Sequence, residues 1–241
     1  MLKVFVINLA SSDMRRNKVS ERLRSLGIEF EIFEAVDGRK HSHPLFERYD
    51  DQLRKRYRRK GLSGGELGCF ASHFLAWGEC VEQQQTIVIM EDDVVIQDRF
   101  VSALSAAQSL VRKLPFLRLA GTGTHRRPFK TICDFAGFEL VDYVRGPTGA
   151  LCYVLTPTAA NALIMGAKKW YMPVDDYIDR YWEHQVDSWA LLPYTILVGD
   201  NTSDIGKRLD KSRSLKDKLR HEFFGRVERL LRTIYRIRQQ K

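Results

Sequence analysis

Three consecutive carboxylates, Glu91-Asp92-Asp93, follow directly on the apolar run TIVIM at 86–90. Acids this close repel one another, and at the end of a buried strand that repulsion has to be offset. A divalent cation offsets it directly. Side chains two apart on a strand point the same way, so Glu91 and Asp93 are expected to share one ion while Asp92 faces elsewhere. An all-oxygen set suits Mg²⁺ or Mn²⁺, held by one or two carboxylates together with substrate phosphates. The alternative is a solvated loop whose acids merely cap a helix starting near Asp98.

The elements that must position these acids alternate between strand and helix signals. Residues 3–8, apolar from Val4 to Ile7, read as a buried strand. Short, without a basic stretch before it, and containing Asn8, this run does not have the pattern of a secretory signal. The polar opening Ser11-Ser12-Asp13 starts a helix to Leu26 that Gly27 stops. Residues 30–36 read as a second strand ending in Asp37-Gly38. Residues 39–60, with six basic residues between Arg54 and Lys60, read as an irregular, mobile surface loop. Ser63 and Glu66 have capping-box spacing, and Leu67, Phe70, Ala71, Phe74, Trp77 and Val81 recur at helical spacing behind them. The run 86–90 has the composition of a central strand covered on both faces. A helix over about 98–113 follows, then strands at 116–121, near 138–144 and at 150–155. Thr156-Pro157 opens another helix. The β-α-β-α-β order predicts an α/β fold with a mainly parallel sheet and flanking helices. In such sheets ligands sit beyond the carboxyl ends of the strands, where Asn8, Asp37 and the triplet converge.

The stretches LSGGELGCFASHFLAW (62–77) and IVIMEDDVVI (87–96) closely resemble glycosyltransferase family 25, the bacterial lipooligosaccharide galactosyltransferases and their relatives, collagen galactosyltransferases among them. VINLASSDMRR, EAVDG, GPTGALCYVLT (146–156), PVD (173–175) and Ser203-Asp204-Ile205 are similar to the family in the same order, so the resemblance spans about residues 2–206. It implies a GT-A-like (Rossmann-type) fold and a metal-dependent, inverting transferase using Mn²⁺ or Mg²⁺. The donor implied is a UDP-hexose, usually UDP-galactose, and the acceptor a core sugar of lipooligosaccharide or lipopolysaccharide. A cation between Glu91 and Asp93 would stabilise the charge developing on a nucleoside diphosphate leaving group. Inversion also needs a base for the acceptor hydroxyl. Asp175, on the Pro-x-Asp match, is the candidate and Asp176 the second; on spacing alone both read as acids capping the segment 177–182. Asn8, Arg15 and Arg16 lie just after the first strand, where a diphosphate or base could be held, or are ordinary solvated helix positions. Asp37 could accept bonds from the nucleoside or belong to an Asp-Gly turn. Glu66, Ser72 and His73 match the family's helical motif and would face the donor pocket; otherwise Glu66 is a capping acid and His73 a half-buried histidine. Asp92, Gly149 and Ala150 complete the donor-binding set. Asp200 is the candidate third metal ligand, with Asp204 in the same polar loop. Trp170, Tyr171, Tyr181, Trp182 and Trp189 could stack on sugar rings or form core. The segment 146–156 departs from the family's tighter Gly-Thr-x-x-Tyr pattern through extra small residues and Cys152.

The chain has 241 residues, 44% hydrophobic and 29% charged, enough for one sizeable core. That composition excludes wholesale disorder, collagen and disulfide scaffolds. No apolar run approaches the ~20 residues of a membrane-spanning helix. Of the net charge of +9, all resides in 207–241, with 13 Lys/Arg against 4 Asp/Glu, leaving 26 of each sign in 1–206. A neutral body argues against nucleic acid as a partner. The expected division is a transferase domain at 1–206 and a basic tail at 207–241. In the tail, Leu215, Leu219, Phe223, Val227, Leu230, Ile234 and Ile237 form a helix stripe among arginines. A basic amphipathic helix of this kind suits an anionic membrane interface, each basic residue contributing about 1 kcal/mol; the alternative is a helix packed on the body or on another subunit. With a glycolipid acceptor, the expected location is the cytoplasmic face of a bacterial inner membrane, peripherally bound. Cys69, Cys80, Cys133 and Cys152 show no CxxC pair and no His at metal spacing, which points to reduced structural thiols and away from zinc. Two competing readings are a phosphodiesterase or nuclease using the triplet, which wants two metals and a basic groove, and a non-catalytic membrane-associated interaction module.

Overall fold

The computed structural model describes residues 2–58, 60–121, 127–199 and 215–239. The first strand, β1 (Lys3–Asn8), has Val4 and Val6 on one face and Phe5 and Ile7 on the other, all buried. It lies between two parallel neighbours, β2 (Phe30–Glu34) and β3 (Ile87–Glu91). Val88 and Met90 of β3 join Val4 and Val6 in one core, beneath α1 (Asp13–Ser25). Ile87 and Ile89 join Phe5 and Ile7 in the other, beneath α3 (Gly64–Glu82). A strand apolar on both faces therefore places helices on both sides of the sheet.

Between these elements lie a 3-10 helix at Pro44–Arg48 and α2 (Asp51–Tyr57), so 39–60 is not the irregular loop expected. Asp50 caps α2 by accepting from Leu53 N at 2.8 Å. Arg54, in the segment expected to be a surface loop, is buried and donates to the Lys60 and Tyr171 carbonyls. After β3 come β4 (Val94–Ile96), α4 (Phe100–Leu110), β5 (Phe116–Arg118), β6 (Phe129–Phe135), β7 (Phe138–Tyr143) and β8 (Cys152–Leu155). Next are α5 (Pro157–Gly166), α6 (Val174–Ile178), α7 (Tyr181–His184), β9 (Trp189–Leu192), β10 (Ile196–Val198) and α8 (Leu215–Gln239). The main sheet runs β2-β1-β3-β8-β5-β9-β7-β6, and β10 pairs with β4 in a two-stranded sheet. From the pairings, β1, β2, β3, β5, β6 and β9 point one way and only β7 and β8 oppose them. The fold is mixed α/β with a mainly parallel, Rossmann-like sheet. β4, β6, β9 and β10 had no counterpart in the sequence pattern, because two are only three residues long and β6 is exposed along most of its length.

α8 docks on the body by one face. Arg236 makes a bidentate pair with Asp142 at 2.7 and 2.9 Å, and Glu228 accepts from Arg180 at 2.6 Å. Phe224 packs on Tyr57, and Tyr235 on Tyr181. The apolar stripe turns outward: Phe223 is 61% exposed, Leu230 59% and Ile237 54%. Among the described residues no helix is long and apolar enough to cross a membrane. The expected boundary at 206/207 lies outside the described residues.

Candidate active site

A cleft of about 520 Å³ opens at the carboxyl ends of β1 and β3, a size suited to a small-molecule ligand. One wall is the start of α3, whose capping box forms in full: Ser63 Oγ accepts from Glu66 N, and the Glu66 carboxylate accepts from Ser63 N at 2.8 Å. The loop after β2 packs against this turn so closely that a Cβ on Gly38 would overlap the Gly64 carbonyl oxygen, and one on Gly68 the Val36 carbonyl oxygen. Ser72 Oγ accepts from Val36 N at 2.9 Å and donates to the Gly68 carbonyl. These contacts set Asp37 in the cleft beside Glu66. Burial works against the Asp37 carboxylate, but the Arg39 backbone N–H and guanidinium hold it below the usual carboxylate range.

The triplet forms the base of the cleft. β3 ends at Glu91 and the chain bends through Asp92 and Asp93, so strand alternation is not what groups the acids. β4 pairs with β10, and Gly199 N donates to the Asp93 carbonyl at 2.9 Å, pinning the bend. All three acids line the cleft, and Asp92 does not face elsewhere. Its Oδ2 accepts from Asn8 Nδ2 at 2.6 Å and lies 3.4 Å from Arg15 Nε. Asp93 Oδ1 is buried with no hydrogen-bond partner among the described residues. Burial, reinforced by the charges of Glu91 and Asp92, pushes the Asp93 acid up to about 6. A buried carboxylate oxygen with no donor among the described residues, raised further by the charges of Glu91 and Asp92, is a position that a hard divalent cation would satisfy.

The far wall is α6 with the loop before β8. Asp175 Oδ2 accepts from Gly149 N at 3.2 Å and Oδ1 from Asp176 N at 2.8 Å. Burial raises both acids, and the charge of Asp175 raises Asp176 further. The loop is clamped from behind: Arg118 donates to Asp179 Oδ1 at 2.6 Å, to the Gly149 carbonyl at 2.7 Å and to Ser188 Oγ at 3.0 Å. Asp179 Oδ2 accepts from Thr148 N. A Cβ on Gly146 would occupy the Asp179 carboxylate, and Thr148 and Gly149 adopt positive φ of 59° and 79°.

Residues 1–178 match Glycosyltransferase family 25 (LPS biosynthesis protein). This chain belongs to glycosyltransferase family 25. It is 27% identical over 201 residues to a glycosyltransferase 25 family member of Aedes aegypti, covering 78% of this chain and 32% of that protein. It is also 27% identical over 197 residues to procollagen galactosyltransferase 2 of Homo sapiens, covering 76% and 31%. Inactive glycosyltransferase 25 family member 3 of Mus musculus is 33% identical over 119 residues, 46% of this chain and 20% of that one. The chain thus spans about a third of the length of the first two relatives.

Within this family 25 chain, Arg15, Asp37, Glu66, Ser72, His73, Glu91, Asp92, Asp93, Gly149, Ala150, Asp175 and Asp176 share the cleft lining. Asn8 stands outside the cleft lining, buried, with Nδ2 donating to Asp92 and to the Ser12 carbonyl. Arg16 is not at the cleft; it pairs with Asp13 on the exposed face of α1. Asp200 and Asp204 lie outside the described residues. None of the five aromatics lines the cleft. Trp170 stacks on Phe70 in the core, and Tyr181 is buried against α8. Arg180 lies over Tyr171 and Trp182, while Trp189 packs at the edge of the β1–β3 core. Cys69 and His73, one helical turn apart, gather with Glu91 so that one ligand atom of each lies within 4.8 Å of the others, which corrects the expectation that no His stands near a cysteine at metal spacing. Burial, with the nearby Glu91 charge, keeps the Cys69 thiol protonated. Sequence reasoning missed Arg118 and Asp179. The available signal was an arginine inside the apolar run FLRLA at 116–120, a buried cation that must have a partner.

Proposed function

We propose that this chain is a GT-A-like, metal-dependent, inverting transferase that moves a hexose, galactose from UDP-galactose, onto a core sugar of lipopolysaccharide or lipooligosaccharide. The observation that carries the reading is the buried Asp93 oxygen that has no partner among the described residues, in a cleft it shares with Glu91, Asp92 and a second acid pair. The family's description as an LPS biosynthesis protein supports the acceptor class, and the name of the human relative supports the sugar. Glu91 and Asp93 would hold Mn²⁺ or Mg²⁺, which when bound neutralises charge on the departing diphosphate. Asp200 is proposed as a third ligand. Arg15 lines the same end of the cleft and adds positive charge where phosphates would lie. Asp175, aimed by the Gly149 and Asp176 backbone N–H groups and weakened as an acid by burial, takes the proton of the acceptor hydroxyl as its oxygen attacks the anomeric carbon. Attack opposite the diphosphate inverts that centre.

We further read α8 as the contact with an anionic membrane surface, at the cytoplasmic face of the inner membrane. Its docked face pairs with the body through Glu228 and Arg236, while Phe223, Leu230, Ile234 and Ile237 point outward with Arg226 and Arg238 on the flanks, the arrangement an interfacial helix needs. Calorimetric titration of UDP, with and without Mn²⁺, into the wild type and Asp93→Ala tests the donor site. Mn²⁺-dependent binding confined to the wild type is expected. Equal binding in both proteins removes Asp93 from the site.

A further inference from the structure

Behind Glu91 lies a buried chain of polar side chains. Trp77, Tyr153 and His73 are each fully buried on the inner faces of α3 and β8. Trp77 Nε1 donates to Tyr153 Oη at 2.9 Å, Tyr153 Oη lies 2.8 Å from His73 Nδ1, and His73 Nε2 lies 3.2 Å from Glu91 Oε1. Each end of the chain has only one chemical role. An indole N–H can only donate, and an ionised carboxylate can only accept. Tyr153 Oη therefore accepts from Trp77, and its own proton has one remaining partner, His73 Nδ1. With Nδ1 accepting, a neutral His73 carries its proton on Nε2 and donates it to Glu91. The reverse tautomer would set a nitrogen lone pair against the carboxylate and leave the Tyr153 proton unused.

We propose that this one-way chain, Trp77 to Tyr153 to His73 to Glu91, makes His73 the positioning residue that aims the Glu91 carboxylate at the cation site. The inference rests on the reading of Glu91 and Asp93 as cation ligands. It assigns His73 a role behind the metal ligand and not in the nucleotide contact that its place in the helical motif implies. It also separates His73 from Cys69: zinc at the Cys69, His73 and Glu91 cluster would have to displace the proton that His73 gives to Glu91, so the cluster is assigned to orienting Glu91 and not to zinc. Partners of this kind hold a ligand's orientation, and their loss weakens metal affinity by roughly 10–100-fold.

The test is performed on the whole chain. In ¹⁵N-histidine-labelled protein treated with chelator, the His73 resonances, assigned by their loss in His73→Gln, are expected to show Nε2 protonated and Nδ1 as the acceptor. Tyr153→Phe, which keeps the ring, is expected to leave the proton on Nε2, where Glu91 accepts it, and to shift the Nδ1 resonance as its donor is lost. Calorimetric titration of Mn²⁺ into the UDP-saturated protein is expected to give at least tenfold weaker binding for His73→Leu and His73→Asn. His73→Gln, whose amide nitrogen reaches the position of Nε2, is expected to restore affinity to within a fewfold. Circular dichroism of each variant checks the fold. Wild-type affinity in His73→Leu, an unprotonated Nε2, or Zn²⁺ binding that depends on Cys69 and His73 overturns the proposal while leaving the transferase reading in place. Absence of Mn²⁺ binding in the wild type overturns the cation site itself.

Discussion

Asp93 carries a stability cost that its proposed function explains. Its acid is raised from 3.8 to about 6 by burial first and then by the charges of Glu91 and Asp92. At 1.36 kcal/mol per pH unit, the ionised form is destabilised by at most about 3 kcal/mol. The sign follows from linkage. A carboxyl whose folded value lies above its unfolded value binds its proton more tightly in the native state, so the metal-free protein loses stability as pH rises from about 4 through about 6. Asp93→Asn removes the ionisation and keeps the shape. In chelator at pH 8 the variant should therefore be more stable than the wild type, by up to about 3 kcal/mol, and the advantage should shrink towards zero near pH 4. For a chain of this size each kcal/mol moves Tm by roughly 2–4 °C, so thermal unfolding across pH 4–8 reads the effect directly. Adding Mn²⁺ and UDP should reverse the order, stabilising only the wild type by mass action. A variant less stable than the wild type at pH 8, or a difference that does not change with pH, refutes the argument that uncompensated charge is stored at Asp93.

Asp175→Asn should leave Mn²⁺-dependent UDP binding within a fewfold of wild type while lowering transfer by roughly 10²-fold or more; normal turnover in a sugar-transfer assay removes it as the base. Arg118→Leu should cost about 3–5 kcal/mol in denaturant unfolding, because Asp179 is left buried without its cation. The double variant Arg118→Leu/Asp179→Leu should recover much of that loss, and a double variant no better than the single counts against the clamp. Phe223→Ser with Ile237→Ser removes two outward side chains that would each contribute about 1.5 kcal/mol on burial. Sedimentation with anionic vesicles should fall roughly 100-fold with UDP binding unchanged, and undiminished sedimentation refutes the membrane reading of α8.

The parts of this fold that could be read from the sequence are those whose cause is local. Ser63 and Glu66 cap α3 because the two residues satisfy each other across one turn, and Thr156 caps α5 with Pro157 behind it. The run 86–90 announces a doubly covered strand because both of its faces are apolar. The triplet is conspicuous because three adjacent acids need an external compensation wherever they fall. Residues 39–60 were misread for the complementary reason. Their helix is held by Asp50 at its cap and by a buried Arg54 that reaches carbonyls at Lys60 and Tyr171, and a basic run carries no apolar period to reveal that.

The unread half of the site consists of pairings between distant residues. Arg118 meets Asp179 across 61 positions, and His73 meets Tyr153 across 80. Neither partner is unusual in its own neighbourhood: an arginine in a strand, an aspartate after a short helix, a tyrosine in an apolar run. The sheet order β3-β8-β5 brings them together, since β8 lies between the strand that ends in the acids and the strand that carries Arg118. That middle strand places Tyr153 behind Glu91, while Arg118, on the neighbouring β5, reaches past it to hold Gly149. The acids that line the cleft are thus fixed from behind, by His73 at its wall and by Tyr153, Arg118 and Asp179 outside its lining. An acid such as Asp93, whose Oδ1 has no donor among the described residues, is then the position where the proposed cation would offset buried charge. A substitution in the supporting layer should therefore weaken ligand binding without altering any ligand contact, which is the pattern expected for His73→Leu and Arg118→Leu and not for a residue that binds the donor itself.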